Sequence, residues 1–222
     1  MRNKPNQMSV AVIVFLALAL ALMSASCGIH GAGKMASGSD NSPGVLRIQP
    51  DPEQLKPGLA VVYFRRLNIR HVNQMPTGKS VLKLGRPGNP ITYLDHSFGT
   101  DNVFDSRSNT KIGVQMTGWI HLAKTGNYQF KAISNDGVQI SVAGQVVADD
   151  PDVHSERMSR PTEFMNTATG WYTFFGQYFQ RKGTAMLRFL WQPPGSDAFE
   201  PVPESAYAHT PDQNPFYNPI QN

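Results

Sequence analysis

The residues best placed for chemistry in this chain are Asn135 and Asp136, followed at once by Gly137. An amide and a carboxylate side by side offer hard oxygens, the donors that suit calcium or sugar hydroxyls. The same residue types favour tight turns, so the trio also reads as turn chemistry alone. Further on, Asp149, Asp150 and Asp152 gather around Pro151. They suit calcium or, equally, a loop whose Asp residues start turns. His154 has no His or Cys partners at zinc-ligand spacing. No nucleophile elbow, His-Glu-x-x-His pair or phosphate loop is present in the sequence. Paired carboxylates for glycoside cleavage would have to come from Asp136, Asp149, Asp150 and Asp152. These observations favour a binding module over an enzyme.

The flanking segments are strand-like. Tyr128, Phe130 and Ala132 alternate with Gln129 and Lys131, and Val138, Ile140 and Val142 alternate with Gln139 and Ser141. A period of two marks half-buried strands, and an Asn-Asp-Gly step between two of them predicts a hairpin with Gly137 at positive φ. Ala143-Gly144-Gln145 predicts a second turn before Val146-Val147. An apolar run at 59–64 predicts the opening strand, and residues 91–94 predict a strand within a Gly- and Pro-rich stretch. Ile112, Val114 and Met116 alternate with polar neighbours, and Trp119 reads as a core aromatic. Residues 171–179 and 185–191 complete the strands. The expected fold is all-β, an antiparallel β-sandwich or barrel-like module with little helix and a core including Phe130, Ile140, Phe174, Leu187 and Phe189.

The ordered set of motifs resembles the protective-antigen domain family, a β-rich module of adhesins, flocculins and glycosidases. The resemblance is carried by Gly58-Leu59 with Tyr63-Phe64, by Thr117-Gly118-Trp119, and by Gly126-x-Tyr128-x-Phe130. It continues through Ser134-Asn135-Asp136-Gly137-Val138, Ala143-Gly144-x-x-Val147 and Trp191-Gln192-Pro193-Pro194-Gly195. It covers residues 55–209. In the family's fungal lectins, two adjacent Asp residues at the hairpin bind calcium, and calcium binds the sugar. The resemblance therefore implies ligand and metal roles for Asn135 and Asp136, with Gln180 on a facing loop. Asn at the first position removes a charge, so it implies a weak calcium site, or direct hydrogen bonding to sugar without calcium.

The N-terminus carries Arg2 and Lys4, then 14 uninterrupted apolar residues at 10–23, then Ser24-Ala25-Ser26-Cys27. A basic start, a short apolar core and small residues predict a signal peptide over 1–26, too short for a membrane span. The only Cys follows it directly, as in the bacterial lipobox, although the preferred Leu is displaced to Leu22. This pattern implies acylation of Cys27 and bilayer anchoring in the cell envelope, at the outer membrane if the source has one; Gly28 is not the residue that retains lipoproteins at the inner membrane. Alternatively, a plain signal peptide leaves a free thiol. Residues 27–54 are Gly-, Ser- and Pro-rich, a flexible tether, and residues 210–222 read as a disordered tail. With Arg2 and Lys4 removed, eighteen basic residues face 16 acidic ones, which gives no footprint for nucleic acid. A local basic run holds Arg65, Arg66, Arg70, His71, Lys79, Lys83 and Arg86. It suits an acidic glycan or phospholipid headgroup, or is simply a solvated loop face.

Two functions follow as expectations. One is a membrane-anchored, non-catalytic module that binds a glycan or cell-envelope polysaccharide. The other is a structural lipoprotein that packs against an envelope protein.

Overall fold

The computed structural model describes residues 49–217. They lie in one of the chain's two units, Leu46–Asn222; the other is Met1–Val45. The expected signal peptide and Cys27 fall outside the described residues, as does most of the tether.

The strands are β1 (Lys56–Pro57), β2 (Ala60–Arg65), β3 (Arg86–Pro87), β4 (Asp95–Gly99), β5 (Ile112–Leu122), β6 (Gly126–Asn135) and β7 (Val138–Val142). They continue as β8 (Gln145–Asp150), β9 (Arg157–Met158), β10 (Thr162–Asn166), β11 (Gly170–Gln180), β12 (Ala185–Gln192), β13 (Glu200–Pro201) and β14 (Tyr207–His209). Among the described residues, helix is confined to α1 (Lys79–Leu84) and four short 3-10 turns. The first sheet runs β1-β14-β5-β11-β7-β8, with β2 on β5 and β3 on β2. The second runs β10-β6-β12-β13, with β4 on β12 and β9 on β6.

Alternation decides which side chains go inside. On β6, Tyr128, Phe130 and Ala132 are buried while Gln129 and Lys131 are half-buried. Phe174 of β11 and Phe189 of β12 meet edge to face at 5.9 Å, which joins the inner faces of the two sheets. Phe189 also stacks on Phe130 at 5.4 Å. Ile140 and Leu187 complete the expected core, fully buried. Each such side chain contributes about 1.5–3 kcal/mol by leaving water. A second cluster, including Phe64, Val72, Val81 and Phe179, fills the space under the loops after β2.

Five expectations need correction. The Asn-Asp-Gly step is not a hairpin: β6 pairs with β9, β10 and β12, whereas β7 pairs with β8 and β11. The step carries the chain from the second sheet to the first. The hairpin is the next turn, β7 to β8, where Ala143 (φ 51°) and Gly144 (φ 80°) form the tight two-residue connection. Trp119 is half-buried, because it shares the outward register of Gln115 and Thr117 while Val114, Met116 and Ile120 point in.

Residues 91–94 make only one bridge, Ile91 to Leu59, because Pro90 has no N–H to extend the ladder and Leu94 gives its carbonyl to Phe189 instead. The tether is already ordered at its end: the Gln49 amide brackets the backbone of Trp171, and Asp51 caps a 3-10 turn over Pro52–Gln54. The supposed tail is ordered as far as residue 217. Thr210 is buried, a capping box closes the turn Pro211–Gln213, and Gln213 Nε2 donates to the Gly118 carbonyl at 3.1 Å.

Candidate functional site

Two crossings between the sheets sit at one end of the fold. The first is the step after β6. The second, residues 181–184, returns from β11 to β12. Register places them together: Tyr178 of β11 pairs with Val138, and Met186 of β12 pairs with Asn135. Gly137 is required here for close approach rather than for positive φ. A Cβ at Gly137 would lie 2.4 Å from the Phe179 ring and 2.6 Å from the Pro151 carbonyl oxygen. The Asn135–Asp136 peptide is cis.

The crossings and the segment after β8 enclose an open cleft of about 310 Å³, lined by Asn135, Asp136, His154, Ser155, Lys182 and Thr184 among others. Asn135 and Asp136 form its floor rather than an exposed tip, for they are only 9% and 3% exposed. Asp136 Oδ2 accepts the N–H of Arg181 at 2.8 Å, and Oδ1 accepts the N–H of His154 at 3.2 Å. Its carboxylate thus holds the other two walls in place. Asn135 reaches the Thr184 hydroxyl weakly, at 3.4 Å. The Asn135 carbonyl accepts the hydroxyl of Tyr178 at 2.6 Å. Burial, and then the Asp136 charge, push the ionisation of Tyr178 well up, so it stays a donor.

Gln180 differs from its expected role. It is the last residue of β11, fully buried, and its Nε2 donates to the carbonyls of Lys182, Gly183 and Thr184. It fixes the shape of the return loop from behind and offers the cleft no ligand. The alternation that buries Tyr172, Phe174 and Tyr178 also points Gln180 inward, a signal present in the sequence. Tyr178, which bonds the Asn135 carbonyl, and the His154 backbone, which bonds Asp136, gave no local sign of their role.

The other expected acids separate. Asp149 is exposed and accepts from Gln139. Asp150 is buried, pairs with Arg157 and lies 3.3 Å from the His154 ring. Asp152 takes part in a backbone bridge to His71. Of the basic run, Arg65, Arg66 and Arg86 share a shallow surface cleft with Leu84.

Toward the expected calcium site the cleft offers one carboxylate, Asp136. Calcium takes six to eight oxygens and usually several carboxylates. Here each Asp136 oxygen accepts one backbone N–H and keeps a spare lone pair, and the carbonyls at 182–184 are turned to Gln180. No group of three or more acidic, His or Cys side chains suited to a metal occurs among the described residues. The groups that remain at the cleft are hydrogen-bonding ones: an ammonium, hydroxyls, and the spare lone pairs of Asn135 and Asp136.

No curated protein matches this chain. Several solved structures share its fold. An anti-sigma factor domain-containing protein superposes with a TM-score of 0.55 at 18% identity, over 69% of this chain and 48% of that one. This chain thus spans about half of that protein. A domain described as a PA14 sugar-binding domain from an RTX adhesin gives 0.51 at 22% identity, over 69% of this chain and 98% of that one. The A domain of epithelial adhesin 9 from Candida glabrata, in complex with Galβ1-4GlcNAc, gives 0.52 at 11% identity, over 73% and 93%. The family model of the PA14 domain matches residues 55–205, well over half of the chain. With that match and two antiparallel sheets, the chain belongs to the PA14 domain family.

Proposed function

We propose that this protein is a non-catalytic carbohydrate-binding module, held at the cell envelope by a lipid on Cys27. The observation that carries the binding reading is the cleft itself. Asn135 and Asp136 meet the return loop at its floor, and Lys182, Ser155 and Thr184 ring its mouth as exposed hydrogen-bonding groups. Sugar recognition needs such convergent donors and acceptors in a concave site. The glycan-binding neighbours of the same fold support the choice of ligand class. Because Asp136 is the one carboxylate lining this cleft, binding is direct and independent of calcium. The ligand class is a glycan or envelope polysaccharide. A glycan array probed with the protein, with and without a calcium chelator, tests this reading. Retention of a defined glycan class in both conditions supports it, and no retention on any glycan sinks it.

The anchor is a separate part of the proposal. It rests on the apolar run at 10–23 and on the position of the only Cys. Several acyl chains on one residue give stable attachment where a single chain does not. Cys27→Ala should leave unprocessed precursor and abolish labelling by a fatty-acid analogue. Unchanged processing would indicate an ordinary signal peptide instead.

A further inference from the structure

We propose that a second cleft, lined by Tyr63, Tyr93, His96, Phe104, Asp105 and Glu204, binds an organic ammonium group. It encloses about 360 Å³ and shares no lining residue with the cleft at the crossings. That volume lies in the range of small-molecule sites, roughly 300–1,000 Å³.

Two observations point to a cation, and a third to a ligand hydroxyl beside it. The first is charge. Asp105 and Glu204 are exposed, and neither forms an ion pair among the described residues, whereas nearby Asp95 is neutralised by Arg188. No Lys or Arg lines the cleft. One Asp105 oxygen accepts the Asn89 N–H at 2.9 Å, which fixes the carboxylate in place.

The second is aromatic lining. Phe104 packs edge-on to His96 and Phe98, both at 4.9 Å, and His96 stacks on Phe98 at 5.3 Å, so the rings are held rigidly. Phe104 sits at φ 49°, a left-handed conformation that is rare for a bulky residue. Ring faces attract cations and repel anions.

The third is Tyr63. It is 3% exposed, and its hydroxyl is buried beside the Asp105 carboxylate without completing a hydrogen bond. Burial, and next Asp105, push its ionisation up, so it remains a hydroxyl. A ligand hydroxyl would satisfy this donor, and an amino alcohol such as choline brings one beside its cation. A neutral sugar would leave both carboxylates uncompensated, whereas an ammonium group neutralises charge and faces the rings at once.

The test is a titration of the full chain, followed by NMR, with choline and with its neutral carbon isostere 3,3-dimethylbutan-1-ol. The expected result is choline binding about tenfold tighter than the isostere, with perturbations at Tyr63, Tyr93 and Phe104. Glu204→Gln, on an exposed turn, should weaken choline about threefold or more and leave the isostere unchanged. Asp105→Asn, which retains an oxygen for Asn89, should do the same. Equal binding of choline and isostere would overturn the proposal. So would choline affinity unmoved in both variants, or lactose perturbing these residues while choline does not; the last result would make the cleft a sugar subsite.

Discussion

The Asp136 carboxylate accepts the backbone N–H of Arg181 at 2.8 Å across 45 residues of chain, and so ties one crossing between the sheets to the other. Its second oxygen takes the N–H of His154. One buried side chain thus holds three segments around the cleft, and its role in the fold comes before any role toward a ligand.

Asp136→Asn should therefore destabilise the domain. The amide keeps one acceptor but sets an NH2 against one of the two backbone N–H groups. Leaving such a buried donor unsatisfied costs about 1–3 kcal/mol. For a domain of this size that corresponds to a fall in Tm of about 2–4 °C per kcal/mol. Thermal unfolding measures it, and an unchanged midpoint would show that the two bonds do not hold the cleft.

This point also marks where the sequence stops being legible. The alternations around Phe130, Ile140, Phe174 and Leu187 foretell strands and core, because period two is a local property. Which strands pair is not local. Asn135-Asp136-Gly137 has the composition of a hairpin turn, yet it crosses between sheets, and Gly137 is there because Phe179, far along the chain, leaves no room for a Cβ. The burial of Gln180 was readable from the strand's own alternation. The meeting of Asp136 with Arg181 and His154 was not, since nothing near Asp136 in the sequence names its partners.

Gln180 gives a sharper contrast. Gln180→Ala removes the donors to three carbonyls and should cost about 1–3 kcal/mol. Gln180→Glu puts a buried carboxylate against those same carbonyls and should cost more at neutral pH. Chemical denaturation of both variants checks the order. A Glu variant as stable as the parent would mean that the loop is not held by this side chain.

Buried tyrosines set an alkaline limit. Burial raises the ionisation of Tyr63, Tyr128, Tyr178 and Tyr207 above its ordinary value of 10.0. The folded state therefore keeps these protons to higher pH than the unfolded chain does. Their contribution is whole below about pH 10 and is lost as pH rises beyond it. Tyr178→Phe should cost about 1–2 kcal/mol at neutral pH, from the lost bond to the Asn135 carbonyl, and should flatten the alkaline decline. Unfolding followed from pH 8 to 12 would show both effects; a parent protein equally stable across that span would contradict the assignment.

Calcium should do little to the parent protein. Its Tm should be the same in chelator and in millimolar calcium. Asn135→Asp places a second carboxylate beside Asp136, and more acidic ligands favour calcium. That variant should gain stability from calcium that the parent lacks. A calcium-dependent rise in the parent would show that the cleft accepts the ion as it stands.

On the function proposed above, the cleft at the crossings binds a glycan. Its most direct test is the glycan-array profile of the parent beside that of a Lys182→Ala, Thr184→Ala double variant, which changes exposed groups at the mouth. The parent should bind a defined glycan class in the presence of chelator, and the variant should lose it with Tm nearly unchanged. Binding that survives both substitutions at full strength would contradict it.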